Sequence, residues 1–234
     1  MTRLSSLKTF TAIWKRVWLA ESISRGESHE VRRRFVEQAK AHGLAASDEV
    51  ADVATLLACA YPALARWIDA HPEDVVVAHR GGTRLARDAR SYKRIALPLI
   101  GDLTDETRVK RGLRIFAARE KLRVAARELL HHPGSDVDVT SRELSDLADI
   151  CCELALHEAR AWAEARFGAP TVSGNQRCSF VVIGMGKLGG RELNAGSDID
   201  LLLFYETCGP AAAHGWRGRC LRTGPATVRR FHRN

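Results

Sequence analysis

Residues 179–205 have the sequence SFVVIGMGKLGGRELNAGSDIDLLLFY, in which two apolar segments flank a glycine-rich turn. The pattern predicts one strand from Ser179 to Ile183 and a second from Asp198 to Tyr205. Side chains two residues apart on a strand project from the same face. Asp198 and Asp200 should therefore lie side by side, while Ile199 and Leu201 point into a core.

The paired carboxylates are the feature of this segment that indicates chemistry. Two adjacent negative charges repel each other and require a cation. Mg²⁺ prefers oxygen ligands, retains several waters and shares its coordination sphere with nucleotide phosphates. We therefore predict that Asp198 and Asp200 are catalytic, metal-binding residues in a site for phosphoryl or nucleotidyl transfer.

The glycines also satisfy a dinucleotide-binding pattern. Gly184-Met-Gly186-Lys-Leu-Gly189 matches G-x-G-x-x-G and follows a predicted strand. A Rossmann unit requires a helix of about three turns after the glycines, followed by a parallel strand. The second predicted strand begins nine residues after Gly189, which is too soon for that crossover. The metal-dependent site is therefore favoured, and a dinucleotide-binding Rossmann protein is kept only as the alternative.

A second Gly-Ser-Asp-x-Asp segment spans residues 134–138. It lies between two predicted helices, and no apolar strand follows it. Its acids are expected to lie in a loop that leads into a helix start, where Thr140 as N-cap and Glu143 three residues later would form a capping box. A buried strand would hold carboxylates rigidly, which favours Asp198 and Asp200 as the functional pair.

The chain before Pro170 has helical periodicity. N-caps are predicted at Ser28 and Ser47, and Pro62 should interrupt the second helix. Helices are predicted over residues 29–42, 48–60, 63–70, 83–97, about 104–130, and 141–167. On the fifth of these helices, Arg119, Arg123 and Arg127 form one positive stripe, for which a solvated face is favoured over a phosphate-binding one. The predicted fold class is α+β.

Four regions follow from these patterns: a leader over 1–27, a helical region over 28–170, the start of an α/β domain over 177–206, and an irregular basic tail over 207–234. The formal charge of the 234-residue chain is +8, but six arginines and no acids lie in the tail, which leaves 8 − 6 = +2 for the rest. A basic terminal segment is more typical of a solvated tail than of a binding face. We therefore expect no nucleic-acid partner.

The cysteines and the hydropathy pattern both indicate a cytoplasmic protein. The six cysteines form no C-x-x-C pair and have no histidine partner at zinc-finger spacing. Reduced thiols are the expected state. No apolar segment approaches the roughly 20 residues that a membrane span needs, so we expect no membrane partner.

The segment from Val182 to Phe204, with Gly-Met-Gly-Lys-Leu-Gly-Gly-Arg-Glu-Leu-Asn followed by Ser-Asp-Ile-Asp-Leu, closely resembles the glutamine-synthetase adenylyltransferase family. Residues 119–130 and 143–149 are similar to the helices that precede this motif in the family, and the resemblance spans roughly residues 51–205. Family members belong to the nucleotidyltransferase superfamily typified by DNA polymerase beta. The resemblance therefore implies a helical region followed by a truncated nucleotidyltransferase (DNA polymerase beta-like) α/β domain.

The family carries two such domains in one long chain. The C-terminal one attaches AMP from ATP to a tyrosine of glutamine synthetase, and the N-terminal one resembles a phosphorylase that removes it. By its position behind a helical region, this segment resembles the deadenylylating domain, in which phosphate attacks adenylyl-tyrosine and ADP is released. Glutamine synthetase is the partner that the resemblance implies, together with a nitrogen-signalling protein.

The resemblance also implies roles for individual residues. Asp198 and Asp200 would bind Mg²⁺. The glycines and a serine would hold the phosphates of ATP or ADP, and a cationic side chain would neutralise their charge. The nucleotide-binding residues implied in this way are Gly189, Gly190, Ser197, Lys187 and Arg191.

The superfamily uses a third carboxylate from a later strand. Glu206 is the only acid after Asp200 and would lie about 20 Å away along the same strand, at ~3.3 Å per residue. The tail after Thr207 has a composition typical of another reading frame. We therefore expect a truncated or frame-shifted copy of the enzyme that is inactive by itself. A non-catalytic helical interaction module that binds glutamine synthetase or a nitrogen-signalling protein is the alternative.

Overall fold

The computed structural model describes residues 25–80, 85–100, 105–132, 135–171 and 177–205. Helices dominate this part of the chain, and its two strands form an antiparallel sheet. The predicted α+β class is confirmed at that level. Most of the predicted leader, Glu206 and the whole basic tail lie outside the described residues. None of the described helices has both the length and the hydropathy needed to cross a membrane.

The described residues form eight helices and two strands. In chain order these are α1 (Arg25–Ala41), α2 (Asp48–Ala60), α3 (Pro62–Ala70), α4 (Pro72–Arg80), α5 (Ala89–Ile100), α6 (Glu106–Leu129), α7 (Val137–Phe167), β1 (Phe180–Gly184), α8 (Gly186–Gly189) and β2 (Leu201–Tyr205).

These elements belong to two compact units. The first comprises the described residues up to Ala86 together with residues 118–135. Helices α1 to α4 pack against one another in it. Its core includes Phe35, Leu57, Ile68, Val75 and Leu122. The predicted N-cap of α2 is confirmed, because the Ser47 hydroxyl accepts a hydrogen bond from the Val50 N–H at 3.4 Å.

Several predicted helix boundaries are wrong. α1 already begins at Arg25, so Ser28 lies within the helix and is not its N-cap. α4 was not predicted at all. α5 begins at Ala89 rather than near Thr83, because the carboxylate of Asp88 accepts a hydrogen bond from the Ser91 N–H at 2.9 Å and starts the helix there.

The predicted solvated arginine stripe on α6 is wrong for two of its three members. Arg123 is 6% exposed and Arg127 is 0% exposed. The Arg123 guanidinium donates to the Glu120 carboxylate at 2.7 Å and to the Leu85 carbonyl at 3.3 Å. Only Arg119 is substantially accessible. Helical spacing identifies a common face, but it does not show whether other elements cover that face.

The second unit comprises residues 87–117 and the described residues from Asp136 onward. In it α5 packs against α7, and the ring of Tyr92 meets that of Phe116 edge to face with centroids 6.0 Å apart. A methyl group on Gly112 of α6 would lie 2.9 Å from the Ile100 Cα atom. Glycine at this position therefore allows the close approach of α5 and α6.

The predicted capping box of α7 is wrong. The helix begins one turn earlier, with Asp136 as N-cap, and the Thr140 hydroxyl donates to the Asp136 carbonyl at 3.0 Å within it. Glu143 is 2% exposed. Its carboxylate accepts hydrogen bonds from the Tyr92 hydroxyl at 3.1 Å and from the Arg87 N–H at 2.9 Å. The glutamate is thus used by the segment that packs on α7 and not by a helix cap.

Candidate functional site

The β1–β2 hairpin brings the glycine-rich turn next to the predicted carboxylates. The strands pair antiparallel, with Gly184 at the end of β1 opposite Leu201 at the start of β2. One further hydrogen bond, from the Met185 N–H to the Asp200 carbonyl at 2.9 Å, extends the pairing past both strands. The turn that follows β1 and the acids that precede β2 therefore lie at the same end of the hairpin.

This antiparallel pairing shows that the Rossmann alternative is wrong. A Rossmann unit joins two parallel strands through a long crossover helix. Here the helix after the glycines, α8, has only four residues. The glycine pattern therefore belongs to a compact connection between antiparallel strands.

The two aspartates lie immediately before β2 and not within a strand that begins at Asp198, as predicted. Regular pairing ends at this point because the partner segment turns into α8 at Gly186. Ile199 between the aspartates is 37% exposed, so its predicted burial is wrong. The Asp200 Oδ2 atom lies 4.0 Å from the position that a methyl group on Gly186 would occupy. The Asp200 carboxylate thus borders the glycine-rich turn.

The chemistry of this carboxylate pair fits a hard divalent cation. Asp198 is exposed and Asp200 is half-buried. Within the described part of the chain, neither side chain has a hydrogen bond or an ion pair that would neutralise it. Accessible carboxylate oxygens are the ligands that Mg²⁺ prefers in proteins. The pair could therefore hold such an ion together with a phosphate-bearing ligand.

Gly189 and Gly190 use their amide groups inside the turn. The Gly189 N–H donates to the Met185 carbonyl at 3.2 Å, and the Gly190 N–H donates to the Gly186 carbonyl at 3.0 Å. A methyl group on Gly189 would lie 2.7 Å from the Gly184 carbonyl oxygen. Close packing against the end of β1 therefore requires glycine at 189. Contact of either glycine with a phosphate stays a prediction, and in this conformation their amides are already used.

The Ser197 hydroxyl takes part in a turn that leads into the aspartates. It accepts a hydrogen bond from the Asn194 N–H at 3.1 Å and donates to the Asn194 side-chain oxygen at 2.9 Å. The Gly196 N–H donates to the same side-chain oxygen at 3.0 Å. These bonds fix the backbone just before Asp198. The predicted contact between Ser197 and a phosphate stays a prediction.

The two predicted cationic residues have different environments. Arg191 forms ion pairs with Asp146 and, at 3.3 Å, with Asp149, both on α7. Its φ of 58° lies in the left-handed region, and the hydrogen bond with Asp146 raises the pKa of Arg191 above its ordinary value. Lys187 is exposed and forms no ion pair with another described residue. Lys187 is therefore the better candidate for neutralising a phosphate.

We expect Arg191→Ala to lower the free energy of unfolding by about 0.5–1 kcal/mol at low salt, as is typical of exposed ion pairs. High salt should reduce this loss of stability, because it screens exposed charges. Urea unfolding of the unmodified chain and of Arg191→Ala, at low and at high salt, measures the loss. Arg114→Ala, at an exposed site on α6, is the control. An equal loss at both salt concentrations would mean that packing, and not charge, holds Arg191.

A family comparison agrees with the sequence motif and its geometry. Residues 49–221 match the family model described as glutamate-ammonia ligase adenylyltransferase. The chain belongs to this family. The match begins in α2 and ends beyond the last described residue, so it includes part of the basic tail that was predicted to be irregular. The resemblance to the glutamine-synthetase adenylyltransferase family is thus confirmed.

Curated relatives of this adenylyltransferase family member carry the name bifunctional glutamine synthetase adenylyltransferase/adenylyl-removing enzyme. The protein of Burkholderia pseudomallei is 38% identical over 161 residues, which cover 69% of this chain and 16% of the relative. That of Thioalkalivibrio sulfidiphilus is 34% identical over 178 residues, covering 65% and 18%. That of Mesorhizobium japonicum is 43% identical over 114 residues, covering 48% and 11%. The chain therefore spans less than one fifth of the length of these relatives.

Proposed function

We propose that this chain forms part of a magnesium-dependent nucleotidyltransferase that regulates glutamine synthetase through adenylylation and deadenylylation of a tyrosine. The observation that carries the proposal is the position of the Asp200 carboxylate against the glycine-rich turn at the end of the β1–β2 hairpin. The bifunctional name of the relatives supports both directions of the reaction. The segment described here corresponds to the deadenylylating half.

In this reaction an oxygen of inorganic phosphate attacks the phosphorus of adenylyl-tyrosine. The bond between that phosphorus and the tyrosine oxygen breaks, the tyrosine oxygen takes up the proton that the attacking phosphate loses, and ADP is released as the product. Asp198 and Asp200 would hold Mg²⁺, which would supply positive charge to the phosphoryl oxygens. The exposed amine of Lys187 adds a second positive charge near the nucleotide. The nucleotidyltransferase superfamily that this motif resembles also uses a third carboxylate from a later strand.

Magnesium-dependent binding of ADP tests this proposal directly. Titration calorimetry should show ADP binding to the 234-residue chain in the presence of Mg²⁺, and Asp200→Asn should weaken it at least about tenfold, or ~1.4 kcal/mol. Asp198→Asn should act in the same direction. Asp138→Asn is a matched control, since Asp138 has the same place in the other Gly-Ser-Asp-x-Asp segment and should leave affinity unchanged. ADP binding that is independent of Mg²⁺, or equal in Asp200→Asn, would contradict the proposal.

A second candidate is the non-catalytic helical interaction module. Among the described residues, seven helices precede the hairpin, and the hairpin supplies two carboxylates where the superfamily uses three. Such a module would bind glutamine synthetase or a nitrogen-signalling protein without chemistry. Magnesium-dependent binding of ADP separates the two candidates, because it does not require the third carboxylate: binding that Asp200→Asn weakens supports an enzyme, and any phosphate-dependent release of ADP from adenylylated glutamine synthetase would support it further. Binding of glutamine synthetase without binding of ADP supports the module.

A further inference from the structure

A cluster outside the hairpin brings two imidazoles and a carboxylate together in the first unit. His42 follows the last residue of α1, His71 is the C-cap of α3, and Glu73 lies in the first turn of α4. These three helices pack against one another. All three side chains are partly exposed, between 34% and 40%, so an ion from solution can reach them.

Two distances within this cluster are close to those between ligands of one metal ion. The Nδ1 atom of His71 lies 3.2 Å from Glu73 Oε1, and the Nδ1 atom of His42 lies 3.8 Å from Glu73 Oε2. Two ligand atoms that are each about 2.1 Å from a tetrahedral zinc ion lie about 3.4 Å apart. His71 and Glu73 already have this spacing, whereas His42 must turn toward His71 for all three side chains to share one ion, because His42 is not among the residues whose ligand atoms all lie within 4.8 Å of one another.

One carboxylate oxygen of Glu73 lacks a hydrogen-bond donor from the part of the chain that the structure describes, which would make a bound cation favourable there. Its Oε2 atom is shielded from solvent, and no hydrogen-bond donor among the described residues reaches it. Buried carboxylate oxygens are normally satisfied, and an exception calls for an explanation such as an ion. This oxygen is therefore available to a metal ion.

Neighbouring groups fix the geometry of the cluster. The Trp67 ring lies against the His71 ring with centroids 3.9 Å apart, and the Trp67 indole N–H donates to the Asp74 carboxylate at 3.0 Å. Arg119 pairs with Asp74 at 3.0 Å. Asp74 is therefore neutralised by other partners, although its oxygen lies within 4.8 Å of the ligand atoms of His71 and Glu73. Groups that orient metal ligands in this way increase metal affinity.

We propose that His42, His71 and Glu73 bind a divalent transition-metal ion of the zinc class, with water as the fourth ligand. Two imidazoles and one carboxylate suit Zn²⁺, Co²⁺ or Ni²⁺ and are a poor set for Mg²⁺. The ion joins the ends of α1 and α3 to the start of α4. The site lies in a different unit from the β1–β2 hairpin and does not depend on the nucleotidyltransferase proposal.

Metal titration of the 234-residue chain tests this site. With Zn²⁺ in calorimetry and Co²⁺ in absorption spectroscopy, we expect one ion per chain and a spectrum of tetrahedral nitrogen and oxygen ligands. Glu73→Gln and His71→Gln should each weaken binding at least tenfold. His79→Gln is the matched control, because His79 lies 3.8 Å from Glu49 without a second imidazole and should leave affinity unchanged.

Two results would overturn the proposal. One is a Zn²⁺ affinity in Glu73→Gln equal to that of the unmodified chain. The other is a Co²⁺ spectrum with thiolate charge-transfer bands, which would assign the ion to cysteines such as Cys151 and Cys152. Far-ultraviolet circular dichroism checks the fold of each variant. If Glu73→Gln does not fold, His42→Gln at the partly exposed end of α1 supplies the same comparison.

Discussion

Replacing Glu143 with alanine is expected to lower the free energy of unfolding by about 3 kcal/mol, because it removes the acceptor of one buried and one half-buried donor. The Tyr92 hydroxyl and the Arg87 N–H both donate to this carboxylate. Tyr92 is 0% exposed and Glu143 is 2% exposed, so water cannot replace the acceptor of the Tyr92 hydroxyl. The truncation also leaves a cavity between α5 and α7.

Two controls separate this effect from a general loss of charge. Tyr92→Phe removes a single hydrogen bond and should cost about 1 kcal/mol. Glu153 lies on α7, as Glu143 does. Glu153→Ala breaks its exposed ion pair with Lys93 of α5, at 2.6 Å, and should cost less than ~1 kcal/mol. Urea unfolding followed by circular dichroism measures all three. A loss in Glu143→Ala no larger than that in Glu153→Ala would show that the buried carboxylate does not hold α5 on α7.

Gly189→Ala is expected to destabilise the chain by about 2 kcal/mol, within the range for overpacking a tight contact. The added methyl group would lie 2.7 Å from the Gly184 carbonyl oxygen. A backbone atom at the end of β1 cannot move away as a flexible side chain can. The turn must therefore shift relative to Asp200, and magnesium-dependent ADP binding should weaken as well.

Gly190→Ala is the matched control for this prediction. Its methyl group would meet only the Glu192 side chain, at 3.3 Å, and its φ of −80° suits any residue. Its effect on unfolding should stay within about 0.5 kcal/mol. Thermal or urea unfolding of the two variants compares them. Equal stability of Gly189→Ala and Gly190→Ala would mean that the turn accommodates a side chain at both positions.

The hairpin is the part of the fold that the sequence predicts best. Its strands consist of β-branched, apolar and aromatic residues, and its connection is rich in glycine, so local preference and final structure agree. The long helices α6 and α7 also follow from apolar residues at three- and four-residue steps, although α7 begins one turn before its predicted start. The starts of helices depend on hydrogen bonds of single side chains, such as that of Asp88 before α5 and those of Asp105 before α6.

The errors arise where a tertiary contact decides the outcome. Glu143 has the spacing of a capping-box residue, but its carboxylate is used by Tyr92 from another helix. Arg123 has the spacing of a surface stripe, but Glu120 and the Leu85 carbonyl accept its hydrogen bonds within the protein. Periodicity along one helix carries no information about partners that are distant in sequence.

In the candidate site too, local sequence predicts some features, while contacts between distant residues decide others. The sequence predicts that acids follow a glycine-rich turn, and the antiparallel register places Asp200 beside Gly186. The sequence does not predict that Asp146 and Asp149 form ion pairs with Arg191, since both acids precede Arg191 by more than forty residues. Nor does the sequence predict that the amides of Gly189 and Gly190 already donate hydrogen bonds around α8, because those bonds depend on the conformation of the turn.

Local opening of the β1–β2 hairpin should affect the proposed nucleotide site. In the described residues β1 has β2 as its only strand partner, and Val181 and Ile183 are 51% and 43% exposed. A sheet of two strands is only marginally stable by itself, so its amides should exchange with deuterium far sooner than those of α7. Each local opening separates the acids from the glycines while the helices stay folded. If the hairpin binds a nucleotide as proposed, the observed affinity is the intrinsic affinity multiplied by the fraction of time the hairpin is closed.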